Sequence, residues 1–188
     1  MMRRTNDTIA CAKDFELAIM WLCNCGLILR SRRVSAPRIP LKTYQNMQTF
    51  KLFMVDVGLL GAASALDAST LIDGNRIMTE FKGALTEQYI MQELTTLNFD
   101  YIGYWTNERS TSEVDFIIQS QGKVIPIEVK SGENLRSRSS TLFCRTFEPE
   151  TAVKISVLPY HENKNIINLP LYAVLTLSSR QQIPVNGR

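Results

Sequence analysis

Two carboxylates and a lysine interrupt a pair of apolar segments in the middle of the chain, at a spacing that suits metal-ion chemistry. Asp115 lies in the segment EVDFIIQS (113–120), and Glu128 and Lys130 lie in the segment KVIPIEVK (123–130). Apolar and polar residues alternate along much of both segments, which predicts two strands. Charged groups are costly in strands that otherwise favour burial, so their presence needs a physical explanation.

A two-residue turn at Gln121-Gly122 is expected to join these strands as a hairpin, because glycine readily takes the positive φ that such turns require. In the register set by this turn, Asp115 faces Glu128. Residues two apart on a strand share a face, so Lys130 lies beside Glu128. We therefore predict that the three charged groups converge on one side of the hairpin.

Convergence of Asp115 and Glu128 favours a bound cation. Like charges directly opposite on paired strands destabilise a sheet, and a divalent ion such as Mg²⁺ or Mn²⁺ offsets that repulsion by taking carboxylate oxygens as ligands. Lys130 beside them would stabilise the charge that develops when water attacks a phosphodiester. A solvated sheet face with an incidental Glu–Lys pair is the other interpretation, and the hairpin alone leaves it open.

A fourth group comes from the segment RIMTEFKGALTEQYIMQELTTLN (76–98), whose periodicity predicts a helix. Glu87 lies near its middle, and the positions three and four residues away are small or apolar: Gly83, Ala84, Ile90 and Met91. A carboxylate within such a stripe is costly unless it is paired or bound to a metal. Glu87 is therefore an accessory carboxylate of the predicted site, or alternatively the salt-bridge partner of Lys130 or of an arginine.

Charge is unevenly distributed along the 188 residues, which have a globular composition of 45% hydrophobic and 21% charged residues. Residues 1–50 carry 8 Lys or Arg against 3 Asp or Glu, and the remainder carries 13 against 15. We predict that a basic loop and ribbon in the first part contacts DNA phosphates through Arg30, Arg32, Arg33, Arg38 and Lys42. A solvated face or a protein contact is the alternative.

The order of predicted elements divides the chain into two parts. Residues 1–75 are predicted to form a helix, a β-ribbon with a proline-marked connection and a short helix, an arrangement that resembles the end of a winged-helix unit. Residues 76–188 begin with the helix that carries Glu87 and continue with three antiparallel strands, a helix and a further strand. This order predicts an α/β domain with a mixed sheet.

Several site and membrane classes are disfavoured. The chain has one histidine and four cysteines, at positions 11, 23, 25 and 144. These lack the paired spacing of structural zinc sites, so we expect reduced thiols. The longest apolar run, at residues 17–29, is too short to span a bilayer. No signal-peptide pattern is visible. We expect a cytoplasmic protein without a membrane partner.

Taken together, these residues resemble a known nuclease superfamily. Asp115, the triplet Glu128-Val129-Lys130 and Glu87 on the preceding helix are similar to the D…E-x-K core of the restriction-endonuclease-like nucleases, the PD-(D/E)xK group. Five segments resemble, in their order, a prokaryotic family of uncharacterised C-terminal domains attached to AAA-type ATPases: 18–28, 50–60, 81–94, 104–118 and 125–132. The resemblance extends roughly from Ile9 to Leu177.

The resemblance implies a C-terminal module that joins a helical or winged-helix-like part to a restriction-endonuclease-like core. By position, it implies that Asp115 and Glu128 are metal ligands, that Lys130 is the catalytic lysine and that Glu87 is the accessory carboxylate. Mg²⁺ or Mn²⁺ would be the cofactor, and the expected activity is hydrolysis of DNA. The alternative is an inactive nuclease-fold module that recognises DNA or a protein partner.

The chain departs from such ATPases in one respect. It lacks the phosphate-binding G-x-x-x-x-G-K-[ST] loop, and no Walker-type acidic strand precedes the module. We therefore expect no ATPase activity from this chain, and an ATPase domain is an expected partner. A truncated form, a proteolytic remnant and a stand-alone gene product all remain open.

Overall fold

A computed structural model describes residues 15–66, 78–107, 109, 111–132 and 137–180. In these ranges, one mixed sheet of eight strands is accompanied by five α-helices. The helices are α1 (Glu16–Asn24), α2 (Val57–Ala63), α3 (Met78–Thr96), α4 (Arg138–Phe147) and α5 (Leu177–Arg180). The strands are β1 (Ile28–Val34), β2 (Gln45–Met54), β3 (Tyr101–Thr106), β4 (Glu113–Ser120), β5 (Lys123–Val129), β6 (Ala152–Ser156), β7 (His161–Asn163) and β8 (Ile166–Pro170). The predicted mixed α/β class is confirmed.

The strands follow the order β2-β1-β3-β4-β5-β6-β8-β7 across the sheet. β1 pairs in parallel with β3, and β6 pairs in parallel with both β5 and β8, while the other pairs are antiparallel. The β1–β2 ribbon therefore belongs to the same sheet as the later strands. The boundary predicted at residue 75 lies outside the described residues, and the winged-helix-like interpretation stays a prediction.

The β4–β5 hairpin has the predicted turn and register. Gln121 and Gly122 both take positive φ values, 49° and 73°, as expected for a tight hairpin turn. Pairing runs from Ser120 opposite Lys123 to Phe116 opposite Ile127. Asp115 and Glu128 are the next residues outward on each strand, so the hairpin brings these two carboxylates to the same end of the pair.

Two hydrophobic cores lie on opposite faces of the sheet. The first core packs α3 on the sheet through Ile90, Met91, Leu94, Phe53, Phe116, Ile118 and Ile127. The second core packs α4 on the other face through Phe143, Trp105, Val114 and Ile117, and the Trp105 and Phe143 rings meet edge to face at 5.2 Å. The sheet is thus buried on both faces around β4, where Asp115 lies.

Two glutamine side chains fix α3 against the end of β2. Gln88 accepts a hydrogen bond from the Met54 N–H at 2.9 Å and donates one to the Met54 carbonyl at 2.6 Å. Gln92 accepts from the Val57 N–H at 2.9 Å. Because Gln88 is buried and is paired at both its amide oxygen and its amide nitrogen, α3 is held in one register along β2, and this register places Glu87 beside Lys51 of that strand.

Some elements differ from the sequence predictions. β2 begins at Gln45, and an apolar pattern does not mark its polar first half, which lies at the edge of the sheet. The short strand β7 was not predicted, since all three of its residues are exposed and polar. The helices of the described ranges are all too short or too polar to cross a membrane.

Candidate active site

Three of the residues predicted to act together line one cleft. Glu87 comes from α3, Asp115 comes from β4 and Lys130 directly follows β5, and the cleft has a volume of about 260 Å³. Its wall is completed by Gly83, Val129 and Ser131. Gly83 lies one helical turn before Glu87 and has no described atom within 4 Å of a Cβ built on it, so this side of the cleft is open.

Asp115 is held at the cleft by the backbone of the neighbouring strand. Its Oδ2 accepts a hydrogen bond from the Val129 N–H at 2.7 Å. The pairing of β3 with β4 shifts register beside Asp115, between Gly103 and Trp105. A register shift of this kind interrupts the regular alternation of a strand, which lets Asp115 turn toward α3 although Val114 and Ile117 both pack in the second core.

The pKa of Asp115 is raised from its ordinary value of 3.8 to about 7. Burial is the largest cause, because it disfavours the charged carboxylate. The negative charge of Glu128 is the second cause, while the hydrogen bond from Val129 opposes both. Asp115 is therefore a carboxyl group that nearby positive charge would ionise readily.

Glu128 lies beside the cleft and does not line it. The residue is 4% exposed, and its Oε1 is 2.7 Å from the Lys130 Nζ. Its Oε2 is buried and has no hydrogen-bond partner among the described residues. Ile127 and Val129 on either side of it both pack against the first core, so strand alternation turns Glu128 away from α3. Asp115 and Lys130 both line the cleft, whereas Glu128 contacts Lys130 beside it and adds its negative charge to the surroundings of Asp115.

Glu87 forms a salt bridge, but with a lysine that was not among its predicted partners. The Lys51 Nζ on β2 lies 2.6 Å from Glu87 Oε1 and 2.5 Å from Glu113 Oε1. Burial lowers the pKa of Lys51, but the two carboxylates outweigh it and raise the pKa above its ordinary value of 10.5. Lys51 rather than Lys130 or an arginine is thus the ion-pair partner of Glu87.

Three carboxylates lie close together, and Lys51 forms ion pairs with two of them. One oxygen from each of Glu87, Glu113 and Asp115 lies within 4.8 Å of the others; we call these three residues the carboxylate cluster. Hard oxygen ligands at this spacing fit Mg²⁺ or Mn²⁺. The orphaned Oε2 of Glu128 next to Asp115 also fits a positively charged ligand. The predicted roles of Asp115 and Glu128 as metal ligands stay predictions.

Sequence reasoning missed Lys51 and Glu113. Glu113 could have been found, because it lies two residues before Asp115 and residues at that spacing share a strand face. Lys51 gave a weaker signal: it lies two residues before Phe53, a buried member of the first core. A lysine at that position points to a buried acidic partner, but only the folded chain identifies it.

The five residues predicted to contact DNA have different surroundings in this structure. The Arg32 Nη1 donates to the Met47 carbonyl at 3.0 Å, and Arg30 lies over the Phe50 ring at 4.9 Å. Arg33 is half-buried, with its Nε unpaired within the described part of the chain. The exposed members of the set are Arg38 and Lys42. Contact of this ribbon with DNA stays a prediction.

Comparison with known protein families gives two matches. A family model described as "Domain of unknown function (DUF4143)" matches residues 82–176, which is half of the chain. A second model, "Domain of unknown function (DUF8612)", matches residues 5–70. The first family is associated with AAA-type ATPases. Neither the curated proteins nor the solved structures include a match to this chain.

Proposed function

The chain belongs to the DUF4143 family, and on this basis we propose that it is the module of an AAA-type ATPase that carries a divalent-cation-dependent, DNA nuclease-like site. The observation that carries the proposal is the shared cleft: Glu87, Asp115 and Lys130 come from three separate elements and line the same cavity. A restriction-endonuclease-like core would account for this arrangement.

Each residue has a task that follows from its surroundings. A divalent ion in this cleft would act as a Lewis acid on a phosphate oxygen and would lower the pKa of its bound water. Asp115 and Glu87 offer carboxylate oxygens to such an ion, and the Val129 N–H fixes the orientation of Asp115. The Lys130 ammonium, oriented by Glu128, would stabilise negative charge on the phosphate oxygens.

The size of the cleft agrees with a small charged ligand. Its volume of about 260 Å³ is below the roughly 300–1,000 Å³ of pockets that enclose organic ligands. An ion with one phosphate group of a longer chain needs less room than such a ligand. The nucleic acid itself would lie outside the cleft, and only the reacting phosphate would enter it.

The decisive experiment compares Asp115→Asn with the wild type. We expect the wild type to bind Mn²⁺ in calorimetry and to nick plasmid DNA, and we expect Asp115→Asn to lose both. The amide removes a buried charge and keeps an oxygen that can accept from Val129, so the variant should fold. Asp100→Asn, at an exposed position before β3, is the matched control. Equal Mn²⁺ uptake by wild type and Asp115→Asn would overturn the metal site.

A second variant separates binding from chemistry. Lys130→Ala should retain Mn²⁺ binding and lose nicking, because Lys130 faces the phosphate rather than the ion in this proposal. Circular dichroism and thermal melting would show whether the variant is folded. Full nicking by folded Lys130→Ala would contradict the role of the lysine while leaving the metal site intact.

A specific observation favours the second candidate, an inactive nuclease-fold module for DNA or protein recognition. Lys51 already bridges Glu87 and Glu113, and Lys130 already neutralises Glu128. Charges compensated in this way need no ion for stability. If this candidate is correct, Mn²⁺ will leave the melting temperature unchanged, and supercoiled, linear and single-stranded DNA will all remain intact.

A further inference from the structure

One ammonium group lies at the centre of the carboxylate cluster. The Lys51 Nζ contacts Glu87 Oε1 at 2.6 Å and Glu113 Oε1 at 2.5 Å. Its side chain is 24% exposed, and its ammonium lies 5.2 Å from the Tyr104 ring centre. Two carboxylates and an aromatic ring thus surround the charge, as they would surround a bound cation.

We propose that Lys51 is a built-in cation that blocks the carboxylate cluster, and that a divalent ion gains Glu87 and Glu113 as ligands only when Lys51 moves away. This inference rests on the proposed function, because it concerns how the same cleft acquires its metal. It adds a control element, carried by β2, to a cleft built from α3, β4 and β5.

Steric and electrostatic arguments make the two cations exclusive. A Mg²⁺ ion lies about 2.0–2.1 Å from its oxygen ligands, closer than the ammonium lies to the same two oxygens. An ion bound to both oxygens would touch the ammonium. Two positive charges in contact inside a partly buried cleft repel strongly, because the local dielectric is lower than that of water.

A second observation concerns the balance of charge around the cluster. Glu128 Oε2 is without a hydrogen-bond partner within the described ranges, and its side chain is only 5% exposed. Its charge acts on Asp115, so it belongs to the electrostatic environment of the cluster. The carboxylates outnumber the ammonium groups here: Glu87, Glu113, Asp115 and Glu128 face Lys51 and Lys130. The excess negative charge favours a further cation.

The structure also provides room for Lys51 to move. Lys51 and Glu87 both line a groove of about 620 Å³ between α1, β2 and α3, whose other walls include Ile19, Leu22 and Leu60. The four methylene groups of a lysine pack well on apolar surface while the ammonium reaches water. A rotation of the Lys51 side chain into this groove would free both carboxylates without unfolding β2.

The position of Lys51 connects the two matched parts of the chain. Lys51 lies in the part that matches DUF8612, residues 5–70, whereas the carboxylate cluster lies in the part that matches DUF4143, residues 82–176. Because β1 pairs with β3 and Gln88 holds α3 against β2, the packing of the two parts on each other sets the position of Lys51. Metal loading would then depend on the arrangement of the two parts.

The test is calorimetric titration of Mn²⁺ into the wild type and Lys51→Met. We expect Lys51→Met to bind Mn²⁺ at least about tenfold more tightly, because the variant leaves two carboxylates without their cation. Lys51→Arg keeps the positive charge and should resemble the wild type. Lys123→Met is the matched control, since Lys123 also forms an ion pair, with Glu150 at 2.8 Å, but at an exposed position.

The outcomes distinguish this inference from the proposed function. Tighter Mn²⁺ binding by Lys51→Met supports the inference even if no variant cleaves DNA, which would overturn only the proposed nuclease activity. Unchanged or absent Mn²⁺ binding in folded Lys51→Met overturns the inference. If Lys51→Met does not fold, Lys51→Gln takes its place, with the same expectation and the same contradicting result.

Discussion

The β4–β5 hairpin and the β1–β2 ribbon both carry charged residues on paired strands, yet they accommodate those charges differently. In the hairpin, Glu128 is 4% exposed and depends on Lys130 for its only salt bridge within the described residues. In the ribbon, Arg32 of β1 donates to a backbone carbonyl of β2, and Arg38, in the connection between these strands, is exposed. The hairpin lies inside the sheet with a core on each face, whereas β2 is an edge strand.

This difference predicts different responses to substitution. A charge buried between two cores cannot be rescued by water, so its loss or isolation changes stability strongly. A charge that is already exposed, such as that of Arg38, exchanges protein partners for water at little cost. Lys51 connects the two regions, because its backbone lies in the edge strand β2 and its ammonium group contacts the carboxylates of Glu87 and Glu113.

The largest effect is expected from Lys130→Met. This change leaves Glu128 buried without its ion pair, which should lower the free energy of unfolding by about 3–5 kcal/mol. Lys123→Met, at the start of β5 and in an exposed pair with Glu150, should cost at most about 1 kcal/mol. Urea denaturation of both variants measures the difference.

A double variant sharpens this result. Glu128→Gln combined with Lys130→Met removes both charges, so most of the lost stability should return. A double variant as unstable as Lys130→Met alone would show that the loss arises from packing of the lysine stem. The contrast between the buried hairpin and the edge ribbon would then lose its electrostatic basis.

The second effect concerns the pH dependence that Asp115 contributes. Its pKa is about 7 in the folded protein and 3.8 ordinarily, so the folded state binds the proton more tightly between these values. The free energy of unfolding should therefore fall by on the order of 2–4 kcal/mol as pH rises from about 4 to about 7 in metal-free buffer. Above pH 7 it should level off. Asp115→Asn should remove this fall.

Denaturation curves from pH 4 to pH 8.5 would check this expectation. Adding Mn²⁺ at pH 8 should restore stability to the wild type and have no effect on Asp115→Asn, because the ion compensates the ionised carboxylate. The free energy of unfolding of the wild type should fall more between pH 4 and pH 7 than that of Asp115→Asn. Equal decreases in the two proteins would contradict the burial of this charge.

The hairpin could be predicted from sequence because its determinants are local. The Gln121-Gly122 turn and the alternation around it fix the register over a few residues. The contact between Lys51 and Glu87 spans 36 positions, and it depends on how α3 is held against β2. Local patterns carry no information of that kind. The register shift beside Asp115 likewise arises from pairing with β3.

An intermediate effect on stability is expected at β3, the strand that lies between the ribbon and the hairpin. A Cβ on Gly103 of β3 would lie 2.7 Å from the Arg32 carbonyl oxygen of β1, so Gly103→Ala should push these strands apart and cost about 1–3 kcal/mol. Gly83→Ala in α3 meets no described atom within 4 Å and should stabilise the helix by up to about 1 kcal/mol. Equal stability of both variants would indicate that β1 and β3 are not tightly paired.

The smallest effect on stability is expected from the double variant Arg38→Gln, Lys42→Gln. Both side chains are exposed, so the free energy of unfolding should change by less than about 0.5 kcal/mol. If the ribbon binds phosphates, DNA affinity should fall, and the slope of log K against log salt should decrease by about one for each phosphate that the variant no longer neutralises. Fluorescence anisotropy at several salt concentrations measures this slope. The control is the double variant Arg145→Gln, Lys164→Gln, which removes two exposed charges elsewhere. An equal decrease in DNA affinity in that control would indicate a general charge effect rather than a phosphate-binding ribbon.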